Sequence, residues 1–333
     1  MKKENNCLNL FRLLSALQVA FFHITYHLDI LTPKYINNFI AYFQGVSFFF
    51  IISGYLIYFS LERSKNYKEY LKKRVLRIYP ELWLCIIIEL ISIICLYKIS
   101  DIKYFVIFAI TQATIFQFYT PQILHNYGCG TPNGSLWTIG VLIQFYFIAY
   151  TLKKFLKNKN MFKNIIIIIL TLGASTFGFY FKDTLPEIII KLYSQTIFNY
   201  LYLFIIGMLI AKYSAKILPI LKKYYLLFTL LSIISYIIKI DIPNTSYGII
   251  IPVTYFLSVL GFSYKFPKLN IKTDLSYGIY LYHMIIVNIF ITFKLTNHII
   301  YIFIVLLISI ILAKISQLTI CNLSLKYKQK NGL

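Results

Sequence analysis

Residues 301–318 read YIFIVLLISIILAKISQL, eighteen positions with one charge, Lys314. A helix that is apolar on every side must be covered by protein or by lipid. The run approaches the roughly 20 residues that a spanning helix needs. Residues 164–181, NIIIIILTLGASTFGFYF, carry no charge at all. The composition repeats the signal: 59% of 333 residues are apolar, 13% are charged, and the mean hydropathy is +0.71. Soluble chains carry roughly 25% charged residues. The reading is an all-α integral membrane protein with membrane lipid as its solvent.

Apolar runs place spans at about 10–31, 40–60, 81–99, 135–152, 164–181, 193–211, 224–240, 247–263, 274–293 and 299–318. Lys and Arg orient them. With the N-terminus inside, the segments ERSKNYKEYLKKRVLR, KKFLKNKNMFK, KYSAKILPILKK, YKFPKLNIK and KYKQK all face the cytoplasm, as the positive-inside rule asks. Together with Lys2 and Lys3 they hold 24 basic residues, against seven in the outer loops. Residues 104–119, YFVIFAITQATIFQFY, resist. Counting them as a span would push KKFLKNKNMFK outside. They read instead as a re-entrant or interfacial helix buried against protein. The expectation is about ten transmembrane helices plus that one, both termini cytoplasmic, and a single transmembrane domain over 1–333.

The net charge of +22 raises nucleic acid as a partner. The charges lie in short segments between apolar runs, so no nucleic-acid face is expected. Cys7, Cys85, Cys95, Cys129 and Cys321 show no paired spacing; only Cys95 and Cys129 could meet at the outer face. The first apolar run contains Arg12, His23 and His27 and lacks a small-residue cleavage site, unlike a cleavable signal peptide.

Ionisable groups inside lipid are costly and mark working sites. Arg12 sits near the cytoplasmic end of the first span, where it can also snorkel. His23 lies eleven positions on, about 16 Å further out, too deep for easy snorkelling. It reads as a histidine bonded to a neighbouring helix, as a general base, or as a metal ligand. With few acidic partners nearby, no metal is expected. His27 reads as interfacial, beside Asp29. Ser53 and Gly54 read as small packing residues. Arg74 and Arg77, three apart, read as topology anchors or as phosphate-binding forks. Pro80 suits the first turn of a following helix. His283 is a second intramembrane histidine in a chain with five, and the two favour a shared polar cavity.

The stretches NLFRLLSALQVAFFH, GVSFFFIISGYLI, RVLRIYP, NGSLWTIGVLIQFY and LSYGIYLYHM together resemble the membrane-bound acyltransferase-3 family. Its members include bacterial O-acetyltransferases of lipopolysaccharide, peptidoglycan and other surface polysaccharides. Each motif is modest alone, but the five stand in family order over residues 8–284. The resemblance puts His23 on an essential histidine and Arg12 on the arginine before it, both as catalytic candidates. It puts Arg74 and Arg77 on a pair serving acyl-CoA. Ser135, Trp137, Tyr280 and His283 fall on site-shaping, substrate-side positions. Leu142 stands where relatives carry a glutamate. Gln144 points about 200° round a helix from it and is a poor substitute; Glu89 is a freer one.

The resemblance implies an inner-membrane O-acetyltransferase of a bacterium. It would move acetyl from cytoplasmic acetyl-CoA to a hydroxyl of a cell-surface or lipid-linked saccharide. A transporter or flippase of polyprenyl-linked sugars would also explain spans and polar residues. It would favour inverted repeats, and none is visible. A third reading, an inactive homologue, rests on Leu142.

Overall fold

The computed structural model describes residues 6–42, 44–157, 161–181, 183–239 and 248–323. Lys2, Lys3 and the basic tail at 326–330 lie outside the described residues. Within them the chain is helical and has no strand. The α-helices run in chain order as α1 (Leu8–His27), α2 (Lys34–Tyr42), α3 (Gly45–Glu62), α4 (Tyr67–Leu96), α5 (Ile102–Gln112), α6 (Trp137–Leu156), α7 (Met161–Tyr180), α8 (Glu187–Ser194), α9 (Leu201–Lys212), α10 (Ser214–Ile238), α11 (Ile250–Lys265), α12 (Ser276–Thr292) and α13 (Ile300–Ser316).

Among the described residues six stretches are long and apolar enough to cross a membrane: Leu8–His27, Lys34–Glu62, Tyr67–Leu96, Gly134–Leu156, Ser214–Ile238 and Ile300–Ile320. Shorter apolar helices accompany them. Their outer faces are greasy: Leu226 and Ile237 on α10 are 66% and 71% exposed, and Phe303 on α13 is 64% exposed. Such surfaces are unfavourable in water and natural in lipid. This is a multi-pass membrane protein. Cys7, Cys85, Cys95 and Cys129 are free thiols, so the Cys95–Cys129 pairing does not form.

The helices sort into two compact units. The first comprises Met1–Arg12, Gln44–Tyr70 and Val141–Thr273. Here α3 and α9 touch backbone to backbone. A side chain at Gly54 would strike the Phe204 carbonyl, and one at Gly207 would strike the Ile51 carbonyl. Gly54 therefore does what small residues do at helix interfaces in lipid. Phe145 of α6 stacks on Phe204 with ring centroids 4.4 Å apart and planes 6° from parallel. Gly261 lets α11 press against the Leu221 carbonyl of α10 in the same way.

The second unit comprises Leu13–Phe43, Leu71–Gly140 and Asp274–Leu333. Its spine is α12, with 13 buried positions from Ser276 to Phe290. Helices α4 and α12 run parallel in register. Arg77 pairs with Asp274, the Tyr277 hydroxyl donates to the Ile78 carbonyl, and the Cys85 thiol donates to the Leu281 carbonyl. Pro80, expected at a helix start, instead lies inside α4, which runs unbroken for 30 residues. Pro80 adds no amide to the ladder, yet the packed flanks carry the helix through it.

Helix α5 begins at an Asp101 cap, whose carboxylate accepts from the Lys103 and Tyr104 amides. It then doubles back along α4. The Ala113 carbonyl accepts from Trp83 Nε1 at 3.0 Å, and the Thr114 carbonyl accepts from the Tyr79 hydroxyl at 3.3 Å. Trp83 is thirteen residues before the end of α4 at Leu96, about 20 Å along it. At the other end Ile93, Phe105, Phe108, Leu124 and Tyr127 form an apolar cluster. The chain thus runs back beside α4 as far as Trp83 and Tyr79 and returns to its Ile93 end.

The close approach of α3 and α9 is testable. Gly207→Ala should cost about 1–3 kcal/mol through overpacking and lower the thermal midpoint of the detergent-solubilised protein. Gly173→Ala, where an added side chain meets nothing within 4 Å, should not lower it. Equal midpoints for both variants would mean that α3 and α9 separate freely.

Candidate functional site

Side chains from four parts of the second unit converge on α12. The first is α1. His23 Nδ1 lies 2.8 Å from His283 Nε2, and the rings are near-parallel with centroids 5.1 Å apart. His283 Nδ1 lies 3.1 Å from the Ile279 carbonyl. A carbonyl only accepts, so His283 carries its hydrogen on Nδ1. Its Nε2 is then the acceptor in the neutral ring. His23 must donate from Nδ1, which leaves His23 Nε2 with its lone pair. The chain of bonds has one direction, and it ends on a nitrogen able to take a proton.

The second part is the segment before α6. Asn133 Nδ2 donates to the Leu281 carbonyl at 2.9 Å, and the Ser135 hydroxyl donates to Asn133 Oδ1 at 2.7 Å. The Ser135 carbonyl accepts from the Tyr280 hydroxyl at 3.0 Å, and the Thr138 hydroxyl lies 2.7 Å from the Tyr280 oxygen. The Tyr280 ring in turn meets the edge of His283, centroids 6.0 Å apart. The third part is the loop at 128–132. Asn288 Oδ1 accepts from the Cys129 amide, and its Nδ2 donates to the Thr131 and Pro132 carbonyls. Gly128, at φ +55°, packs where a side chain would collide with Asn288, so that position excludes other residues.

The fourth part is α4. Arg77 and Asp274 form an ion pair at 3.0 Å. Asp274 also accepts from the Ser276 amide and hydroxyl, at 3.2 and 2.5 Å, and so fixes the start of α12. Arg77 lies over the Tyr277 ring. Arg74, one turn earlier, is partly buried.

The structure therefore brings His23, Ser135, Tyr280 and His283 together, and ties Arg77 to the base of the same helix. Trp137 is partly buried at the first position of α6. Arg12 and Leu142 are partly buried and belong to the first unit. There Gln144 is a tether: its Nε2 donates to the Gln195 carbonyl and its Oε1 accepts from the Ile197 amide. It holds backbone and replaces no carboxylate. Asn133, Thr138, Asp274 and Asn288 escaped the sequence reading. The Asn–Gly step before SLW and the Asp just before LSYGIYLYH were the available signals. Among the described residues no group of three or more His, Cys, Asp or Glu side chains is placed to hold a metal ion.

The arrangement offers a partly buried imidazole with an oriented lone pair, framed by hydroxyls and amides. The family described as Acyltransferase domain matches residues 5–315. Nodulation protein 10 of Rhizobium leguminosarum bv. viciae is 27% identical over 318 residues, covering 89% of this chain and 86% of its own. The O-acetyl transferase of Shigella phage Sf6 is 28% identical over 285 residues, 84% of each chain. No solved structure matches.

The direction of the histidine pair has a spectroscopic consequence. Nitrogen-15 spectra of histidine-labelled protein in lipid should show His23 and His283 both in the Nδ1–H form at neutral pH. An Nε2–H form of His23 would reverse the chain of bonds and remove its base.

Proposed function

The chain belongs to the acyltransferase-3 family and is an acyltransferase, and from that premise we propose that it moves acetyl from cytoplasmic acetyl-CoA to a hydroxyl of a cell-surface or lipid-linked saccharide. The O-acetyl transferase among its relatives supports the acetyl group as cargo. The observation that carries the reading is the His23–His283 bond, which leaves His23 Nε2 poised.

In this reading His23 Nε2 takes the acceptor's hydroxyl proton, as a general base does. The freed oxygen becomes bonded to the acetyl carbon, and that carbon's bond to sulfur breaks. The proton ends on the departing CoA thiol. As the imidazolium of His23 forms, its Nδ1–H bond to His283 strengthens. Transfer also needs donors for the oxyanion. Arg12, Trp137 and the hydroxyls around Tyr280 are the candidates. Ser135 shapes the site by holding Asn133 against α12.

Arg74 and Arg77 serve the phosphates of the donor, which guanidinium forks suit. The Asp274 ion pair holds Arg77 in register at the start of α12. Leu142 leaves the family's carboxylate position empty of charge. Its loss does not strip His23 of an orienting partner, because His283 already fills that role through Nδ1. That favours an active enzyme over an inactive homologue.

The proposed setting is the inner membrane of a bacterium. About ten spans place both termini in the cytoplasm, with α5 re-entrant. The two units act as one acyltransferase domain, a reading supported by the family match running through both.

Purified protein in lipid discs should release CoA from acetyl-CoA and form an acetyl ester on saccharide. His23→Ala should lower transfer by about 10²–10⁴-fold with its thermal midpoint unchanged, and His27→Ala should do far less. Near-normal turnover by a folded His23→Ala protein would return His23 to a packing role. Mass spectrometry of surface glycans with and without the gene would identify the acceptor.

Topology has its own test. Single cysteines placed within residues 153–163 should react with a membrane-impermeant maleimide only from the cytoplasm. One placed near Asn133, at the exposed Asn126, should react only from outside. The reverse pattern, residues 153–163 reacting from outside and the Asn126 position from the cytoplasm, would mean that the segment containing α5 crosses the membrane.

A further inference from the structure

Glu89 is a buried carboxyl of the second unit that the mechanism above leaves unused, and its burial demands an explanation. It lies on α4, 1% exposed. Neither carboxyl oxygen has a hydrogen-bond partner. A buried polar group without partners costs several kcal/mol even when neutral (roughly 2–7 by transfer). Protonation would remove the charge and leave both oxygens unsatisfied. A leucine in its place would cost nothing of the kind.

Its position follows from the register of α4 and α12. Arg77 and Asp274 are paired, and Cys85 meets Leu281. Glu89 is one turn beyond Cys85, about 6 Å, whereas His283 is two residues beyond Leu281, about 3 Å. Glu89 therefore lies slightly past the histidine pair, on the side away from the Arg77–Asp274 ion pair. One turn further, Ser92 and Tyr127 share a hydrogen bond at 3.0 Å. Tyr127 belongs to the returning loop, and the Ser92 hydroxyl that it meets donates to the Glu89 backbone carbonyl at 2.8 Å. The polar groups of α4 thus continue beyond the base, toward the end of α4 where α5 begins.

We propose that Glu89 is the acceptor-side binding group: its carboxyl takes a hydroxyl of the incoming saccharide, beside the Ser92–Tyr127 pair and opposite the donor end. The assignment rests on the acyl-transfer reading. A carboxyl can both donate to and accept from a hydroxyl, so a sugar satisfies the two oxygens that the protein leaves bare. The side chain positions the acceptor and leaves proton transfer to His23.

The test uses the full-length protein in lipid discs, acetyl-CoA, and a panel of methyl hexopyranosides as acceptors, with acetylated product followed by mass spectrometry. Glu89→Leu should raise the KM for the glycoside by about 10–100-fold, the loss expected for a hydrogen-bonded hydroxyl, with the KM for acetyl-CoA within about twofold of the original. Glu89→Gln, which keeps a donor and an acceptor, should recover much of that loss. The thermal midpoint of Glu89→Leu should rise or hold. A Glu89→Leu protein with an unchanged glycoside KM would overturn the assignment and make Glu89 a buried bystander. Equal losses toward glycoside and acetyl-CoA would overturn it too. If the original protein acetylates no glycoside while His23→Ala behaves identically, the acyl-transfer reading itself falls, which is a different result.

Discussion

Hydrocarbon offers no hydrogen bonds, so a polar group inside the membrane is costly unless the chain or a ligand supplies its partner. In the second unit α12 supplies such partners to four other segments. Its Leu281 carbonyl serves Cys85 and Asn133, its Tyr280 serves Ser135 and Thr138, its Asn288 serves the 128–132 loop, and its His283 serves His23. Asp274, just ahead of it, holds Arg77. Remove α12 and the donors of four segments lose their acceptors together. The constraint that keeps soluble loops out of lipid is here the force that assembles a site.

The same constraint explains the stretch GSLWTIGVLIQFY. Its polar ends are tethers to backbone. Ser135 and Thr138 tie its start to α12, and Gln144 ties its further part to residues 195–197. Between them the side chains face protein and lipid and carry no charge. Leu142, partly buried there, brings no charge. An ionised carboxylate there would need a partner of its own. The histidine pair gives chemistry another way to orient a base. A carboxylate fixes a tautomer by accepting from an imidazole nitrogen. His283 Nε2 does the same for His23, because the Ile279 carbonyl has already fixed His283.

Helix α5 shows how charge and geometry constrain each other. Loop charge, the shortness of the run and its two Gln and two Thr argued against residues 104–119 as a span. Trp83 and Tyr79 of α4 donate to the Ala113 and Thr114 carbonyls of that segment. The segment stays beside α4 because its last carbonyls find donors there, which lipid would not supply.

Much was legible without coordinates. Apolar runs identify a helical membrane protein because length and hydropathy decide what lipid accepts, and five ordered motifs identify an acyltransferase. His23 and His283 stood out because an imidazole in hydrocarbon is too costly to be incidental. What sequence could not supply was pairing. That His23 meets His283, which nitrogen faces which, and that Asn133, Asp274 and Asn288 complete the framework all depend on residues more than a hundred positions apart. Periodicity reports which face of a helix is apolar; it carries no record of which helix covers that face. Only packing chose α12 as the common partner, because hydrogen bonds are satisfied in space and the order of residues along the chain does not specify them.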